Sequence, residues 1–245
     1  MKMSFFSRKE KTNEEPAKKK SENKNQSKSA EKNGLTELVF ILDRSGSMGG
    51  LESDTIGGFN SMIEKQKKEE GDAVVTTVLF DNEYEKLHDR VPLQSVQPMT
   101  DKDYYVRGST ALLDAIGKTI NHISHIQKTL NEGNIPEHTI FVITTDGLEN
   151  ASREYNAAKI KKLINDMKQR HQWEFIFLGA NIDAIETAKT IGISADRAAN
   201  FHSDSAGQRL NYEVMSETIG AFRRNESVGS EWKARIEEDF ENRKS

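Results

Sequence analysis

Five side chains that carry oxygen atoms lie in three short segments and could together bind a metal ion. Asp43, Ser45 and Ser47 alternate in the first segment, ILDRSGSMGG, where an apolar run ends. Thr110 lies in GSTALLDAIG, and Asp146 lies in FVITTDG, at the end of another apolar run. Carboxylate and hydroxyl oxygens are hard ligands, which suit Mg²⁺, Mn²⁺ or Ca²⁺ and bind soft metals poorly. These residue types could therefore hold one hard divalent cation.

The elements that must position these residues alternate along the chain. Short apolar runs rich in β-branched residues predict buried strands at 37–42, 73–80, 138–145 and 173–178, with a short strand at 198–201. Residues 84–88 are predicted to form an antiparallel edge strand, and residues 91–107 a loop. Apolar residues at helical spacing predict helices at 51–70, 111–130, 156–169, 182–191 and 208–223. This alternation predicts an α/β fold, a doubly wound, Rossmann-like, mostly parallel six-stranded sheet with one antiparallel edge strand and helices on both faces.

Parallel strands of such a sheet present their carboxyl ends at one edge, where ligands bind at the point at which strand order reverses. Asp43 follows the first strand and Asp146 follows the fourth. If these two strands are neighbours, the two carboxylates face each other across that crevice. Ser45 and Ser47 then lie on the loop after the first strand, and Thr110 could bring its hydroxyl in from the side.

The same residues resemble the von Willebrand factor A (VWA) domain and its metal-ion-dependent adhesion site (MIDAS). Asp43-Arg-Ser45-Gly-Ser47 matches the family's Asp-x-Ser-x-Ser, and Thr110 and Asp146 match its threonine and last aspartate. The resemblance covers about residues 37–224 and shows an intact five-residue site. It implies that Ser45, Ser47 and Thr110 bind the metal directly, whereas Asp43 and Asp146 act mostly through water or through hydrogen bonds to the hydroxyls.

The resemblance also implies a function. The cofactor is Mg²⁺, or Mn²⁺ or Ca²⁺ in its place, and a Glu or Asp of a protein partner completes its coordination. The later stretch FLGANIDA is similar to bacterial intracellular members of the family. Those members often serve as adaptors for ATPases or stress-response assemblies, so the resemblance predicts a partner of that kind. The expected function is a metal-dependent protein-binding module without enzymatic activity.

Charge divides the chain into a basic tail and an acidic domain. Residues 1–36 carry ten Lys or Arg against five Glu and have almost no apolar residue after Phe6, so we expect this tail to be disordered. Because the whole chain has a net charge of −4 and the tail contributes +5, residues 37–245 carry −9. An acidic domain argues against a nucleic-acid groove, which requires a basic face.

The remaining composition bears on location and domain organisation. The chain has no cysteine, so it has neither a disulfide framework nor thiolate chemistry. The sequence shows neither a signal-peptide pattern nor an apolar run of about 18 residues, and we predict a cytoplasmic protein without a transmembrane segment. The predicted organisation is the tail at 1–36, a VWA domain at 37–226 and a charged C-terminal tail or short helix at 227–245.

Other functions remain open at this point. A metal-assisted hydrolase could use the same strand-end site, with Glu149 or Asp183 as the general base. In a third alternative the metal only makes the loops rigid. Taken singly, each segment also has a common structural role, because Asp and Ser cap turns and Thr caps helices. It is the expected convergence of three loops that favours a metal site.

A pair of glycines, Gly57-Gly58, interrupts the first predicted helix. Two glycines within a helix cost about 2 kcal/mol relative to alanine, so they call for a structural reason. Close packing against the metal-binding loop and a local kink are both compatible with the sequence.

Overall fold

A computed structural model of the protein describes residues 34–243. Most of the predicted basic tail lies outside this range, so its disorder stays a prediction. The six strands are β1 (Thr36–Asp43), β2 (Ala73–Phe80), β3 (Tyr84–Pro92), β4 (His138–Thr145), β5 (Glu174–Ala180) and β6 (Ala198–Phe201). They form one sheet in the order β3-β2-β1-β4-β5-β6, in which β3 alone is antiparallel to its neighbour. The predicted sheet is confirmed, including the antiparallel edge.

Helices cover both faces of the sheet. They are α1 (Glu52–Gln66), α2 (Leu112–Thr129), α3 (Ala157–His171), α4 (Ala184–Thr190), α5 (Ser205–Arg223) and α6 (Ala234–Asn242). Strand side chains alternate between the faces, so Phe40 of β1 packs in the layer with α1, α5 and α6, whereas Ile41 packs in the layer with α2, α3 and α4. None of the helices in residues 34–243 combines the length and apolar character that crossing a membrane requires.

The first and fourth strands are neighbours, which the predicted crevice requires. β1 pairs in parallel with β4 from Thr36 opposite His138 to Leu42 opposite Thr144. The chain leaves β1 toward β2 on one side, and β4 lies on the other side, so strand order reverses at this pair. Both strands end at the same level of the sheet, which places the residues that follow them side by side.

The third strand runs further than the sequence indicated. β3 continues through Pro92, so residues 91 and 92 belong to a strand and not to the predicted loop. Its pairing with β2 shifts register on either side of Thr77, and Arg90 adopts a left-handed conformation with φ of 51°. The Arg90 N–H donates to the Thr76 hydroxyl at 3.1 Å. An irregular edge strand of this kind breaks the alternation by which strands are predicted.

The glycine pair in α1 is explained by its contact with α5. A Cβ atom on Gly58 would lie 2.1 Å from Cδ2 of the Tyr212 ring, whereas a Cβ on Gly57 would meet nothing within 4 Å. Tyr212 is 8% exposed and packs in the core, so its ring cannot move aside freely. Close packing therefore occurs against α5 at one glycine, and not against the loop after β1 that carries Ser45 and Ser47.

The two glycines provide a matched pair of stability variants. Gly58→Ala is expected to destabilise the domain by about 2 kcal/mol, because the new methyl group overlaps the Tyr212 ring. Gly57→Ala makes the same chemical change on the exposed side of the helix and is expected to stabilise the domain by about 0.5–1 kcal/mol. Urea unfolding of both variants measures the difference, and equal effects would contradict the packing explanation.

Candidate metal centre

Three loops bring four of the five predicted side chains into direct contact. The Ser45 hydroxyl oxygen lies 3.1 Å from that of Ser47 and 3.1 Å from Oγ1 of Thr110. Ser47 donates its hydroxyl proton to Oδ1 of Asp146 at 2.5 Å. Ser45 and Ser47 follow β1, Thr110 precedes α2, and Asp146 follows β4. Thr110 is 65 positions from Ser45 along the chain, and Asp146 is 99 positions from Ser47. Residues far apart in the sequence therefore form one cluster of oxygen atoms.

Asp43, the fifth predicted residue, lies on the buried side of this cluster and stabilises it. It is 1% exposed at the end of β1. Its Oδ1 accepts the backbone N–H of Ser45 at 2.7 Å, and its Oδ2 accepts the Thr145 hydroxyl at 2.5 Å. Asp43 thus connects the start of the loop that carries Ser45 and Ser47, called the serine loop below, to the end of β4.

Burial makes both carboxylates costly when they are ionised. It raises the pKa of the Asp43 carboxyl, although hydrogen bonds from Thr145 and Ser45 oppose the shift. Burial likewise raises the pKa of Asp146 against hydrogen bonds from Ser47 and Ser203. A raised pKa in the folded state means that folding loses stability as the pH rises from the unfolded pKa to the folded one. A nearby cation would favour the ionised forms and offset that loss.

The space in front of the hydroxyls is kept open by Gly147. A Cβ atom on this residue would lie 3.1 Å from Oγ of Ser47 and 3.1 Å from Oγ1 of Thr110. Ser45 and Thr110 are buried, whereas Ser47 is exposed, so the cluster is closed on the protein side and reaches solvent on the other. The donor set contains oxygen atoms only, from three hydroxyls and two carboxylates. These residues fit a hard divalent cation whose outer side faces solvent.

Comparison with known proteins identifies the fold. No protein-family model and no curated protein sequence matches this chain. Among solved structures, the vWF domain of the pili tip protein Mfa5 from Porphyromonas gingivalis is 12% identical, with a TM-score of 0.54, and the match covers 80% of this chain and 98% of that one.

Proximal thread matrix protein 1 from the mussel byssus, solved with a zinc-occupied MIDAS motif, is 13% identical with a TM-score of 0.52. That match covers 77% of this chain and 46% of the mussel protein, so this chain spans less than half of its length. The chain has the von Willebrand factor A fold. At these identities the likeness concerns the fold, and the roles of individual residues rest on the geometry of this chain.

Within the VWA fold, a buried charge cluster holds the loops of the centre together. Arg44 is fully buried, and its Nε lies 3.0 Å from Oδ2 of Asp81, which Nε of Arg107 also approaches at 2.7 Å. The backbone N–H of Arg107 donates to the Arg44 carbonyl at 2.9 Å, and that of Gly46 donates to the Gly108 carbonyl at 3.2 Å. The loop before α2 is therefore fixed to the serine loop by both side chains and backbone.

Four residues at the centre of the VWA fold were not identified from the sequence. The Thr145 hydroxyl donates to the Asp43 carboxylate, and the Ser203 hydroxyl donates to the Asp146 carboxylate. The Tyr104 hydroxyl donates to the backbone carbonyl oxygen of Asp43 at 2.5 Å. Asn150 accepts the Thr110 N–H at 2.9 Å. Only Thr145 carried a local signal, because it directly precedes Asp146 in the motif-bearing segment. Asn150, four residues after Asp146, lies in the same loop but outside the motif, whereas Tyr104 and Ser203 lie in other segments of the chain.

The two carboxylates considered as general bases are engaged elsewhere. Glu149 accepts the backbone N–H groups of Leu113, Ala151 and Ser152 at 2.8–2.9 Å and the hydroxyl of Ser152 at 2.7 Å. Asp183 caps α4 by accepting the backbone N–H of Glu186 at 3.0 Å. Both side chains thus stabilise loops or helix ends at the same edge of the sheet.

Proposed function

We propose that this domain is a divalent-metal-dependent protein-binding module. Ser45, Ser47 and Thr110 would hold the ion directly, and Asp43 and Asp146 would hold the hydroxyls and balance the charge. When bound, the ion supplies an electrophilic coordination position that an incoming carboxylate can fill. The observation that carries the proposal is the convergence of these oxygen atoms around a space that is open to solvent at Ser47.

The metal is proposed to be Mg²⁺, with Mn²⁺ as a close substitute. An oxygen-only donor set favours hard cations. The mussel protein with a zinc-occupied MIDAS motif supports metal binding by this fold. The bacterial intracellular type, the cytoplasmic location and the ATPase or stress-response partner stay predictions from the resemblance.

The hydrolase alternative is less well supported by the chemistry of the site. Hydrolysis would require a base within reach of a metal-bound water. Glu149 already accepts four hydrogen bonds, and Asp183 is a helix cap. We therefore favour binding over catalysis. Phosphoester hydrolysis by the purified domain that disappears in Asp146→Ala would reverse this preference.

The proposed partner chemistry can be tested without knowledge of the natural partner. The immobilised domain is exposed to displayed random peptides in the presence of Mn²⁺, and bound peptides are eluted with EDTA. We expect the eluted peptides to share a Glu or Asp, because a carboxylate is the ligand that completes the ion's coordination. Metal-dependent elution of peptides without a common acidic residue would contradict the proposal.

An exposed leucine beside the centre is expected to contact the partner. Leu148 lies two residues after Asp146 and is 66% exposed. Burying a leucine side chain contributes about 1.5–3 kcal/mol, so Leu148→Ser should weaken binding of a selected peptide about tenfold and leave Mn²⁺ binding unchanged. Ile135→Ser is the matched control, since Ile135 is 46% exposed but precedes β4 at the opposite edge of the sheet. Fluorescence polarisation measures both, and equal losses would contradict a local contact.

A further inference from the structure

We infer that Ser203 is a positioning residue of the metal centre, which fixes the orientation of Asp146, and that the C-terminal helix α6 holds Ser203 in place. The inference rests on the metal site proposed above. Ser203 lies between β6 and α5, 57 residues after Asp146 along the chain. Neither the Asp-x-Ser-x-Ser motif nor the segments with Thr110 and Asp146 include it.

The contact of Ser203 completes the hydrogen bonding of the Asp146 carboxylate. Oδ1 of Asp146 accepts the Ser47 hydroxyl at 2.5 Å, and Oδ2 accepts the Ser203 hydroxyl at 3.2 Å. An aspartate carboxylate that accepts a hydrogen bond at each oxygen cannot rotate about its Cβ–Cγ bond without losing at least one of them. Asp43 is held in the same way at both oxygens, by Ser45 and Thr145. Both aspartates are thus oriented by two donors each.

Ser203 is fixed in turn by residues on either side of it. On one side, Nε2 of His202 lies 3.0 Å from the carbonyl oxygen of Phe240 in α6, and the two rings are 4.8 Å apart between centroids. On the other side, Asp204 pairs with Nη1 of Arg243, just after α6, at 2.5 Å. Arg243 also pairs with Asp239 of α6. Residues at the end of α6 and directly after it therefore contact both neighbours of Ser203, His202 and Asp204.

The start of α5 adds a further constraint on this segment. Asp204 caps α5 by accepting the backbone N–H of Gly207 at 2.8 Å. A Cβ atom on Gly207 would lie 2.1 Å from the His202 carbonyl oxygen, so the helix start is pressed against the backbone just before Ser203. Helix start and α6 together define where the Ser203 hydroxyl points. Residues far from the motif thereby influence the orientation of Asp146.

The test compares Mn²⁺ affinity in the full chain by calorimetry. Residues that orient metal ligands typically change affinity by 10-fold or more, so Ser203→Ala should bind Mn²⁺ about tenfold more weakly than wild type. Ser203→Thr keeps the hydroxyl and should retain most of the affinity. Ser205→Ala is the matched control, because the hydroxyl of the exposed Ser205 donates to Asp54 at 2.6 Å and not to the centre.

The contribution of α6 is tested with two arginines. Arg243→Ala removes the ion pair to Asp204 and is expected to weaken Mn²⁺ binding about threefold, a typical effect for coupling through a neighbouring element. Arg235→Ala is the control, since Arg235 of α6 pairs with Glu213 and Glu217 on α5 and should leave affinity unchanged. Melting temperatures in EDTA separate a general loss of stability from a loss of metal binding.

The outcomes distinguish this inference from the proposed function. Failure of wild type to bind Mn²⁺ would overturn the metal site itself. Binding by wild type together with unchanged affinity in Ser203→Ala would overturn only the role of Ser203. Reduced affinity in Ser203→Ala with unchanged affinity in Arg243→Ala would overturn the role of α6. If Ser203→Ala lowered the melting temperature in EDTA as well as the Mn²⁺ affinity, the substitution would have destabilised the fold itself. Ser203 would then be a structural residue, and its positioning role would be overturned.

Discussion

Asp43→Ala is expected to abolish Mn²⁺ binding, with a loss of affinity of more than about 100-fold. Asp43 supplies one of the two negative charges of the centre, and it accepts both the Ser45 N–H and the Thr145 hydroxyl. Its removal leaves these buried donors without their acceptor, so the serine loop loses its connection to β4. Calorimetry with Mn²⁺ should show one site in wild type and none in the variant.

Asp183→Ala is the matched control for this experiment. Asp183 follows β5 at the same edge of the sheet, but it caps α4 and has no contact with the hydroxyl cluster. We expect this variant to lose about 1 kcal/mol of stability as a cap substitution and to keep Mn²⁺ binding. Mn²⁺ at about 100 times its dissociation constant should also stabilise wild type by about 2.7 kcal/mol and Asp43→Ala not at all. Equal Mn²⁺ affinities in Asp43→Ala and wild type would refute the assignment of the centre.

Thr110→Ala is expected to eliminate measurable binding of a selected acidic peptide, and EDTA should have the same effect on wild type. The Thr110 hydroxyl donates to Ser45 within the proposed coordination shell. The contact between metal and carboxylate would be central and desolvated, and loss of a buried charged contact costs about 2–5 kcal/mol at an interface. Fluorescence polarisation with the labelled peptide measures the loss in Mn²⁺ and in EDTA.

Ser109→Ala provides the control on the same loop. Ser109 is the exposed neighbour of Thr110, and its backbone N–H, which the substitution keeps, is the group that contacts Asn82. The variant should bind peptide as wild type does. Both variants should have wild-type circular dichroism, because a small change at either position leaves the core intact. Peptide binding that survives both EDTA and Thr110→Ala would show that the metal does not mediate recognition.

The sequence by itself determined the fold class and the candidate metal residues, for physical reasons that operate locally. Continuous apolar runs such as residues 138–145 predict buried parallel strands, because both faces of such strands are covered. Asp43 and Asp146 each end such a run, so the fold class alone places them at one edge of the sheet. Ser45 and Ser47 then belong to the same edge because they directly follow Asp43, whereas the assignment of Thr110 rested on the resemblance to the VWA domain.

Tertiary structure decided the contacts that hold this edge in place. Nothing near Gly58 in the sequence indicates that the ring of Tyr212 will lie against it, because the two residues meet only when α1 packs on α5. Likewise, Ser203 looks like an ordinary loop serine until β6 places it beside Asp146 and α6 fixes its neighbours. Hydrophobic periodicity and turn chemistry describe residues a few positions apart. The orientation of a carboxylate depends on hydrogen-bond donors that reach it through space, and only the packed structure brings those donors within bonding distance.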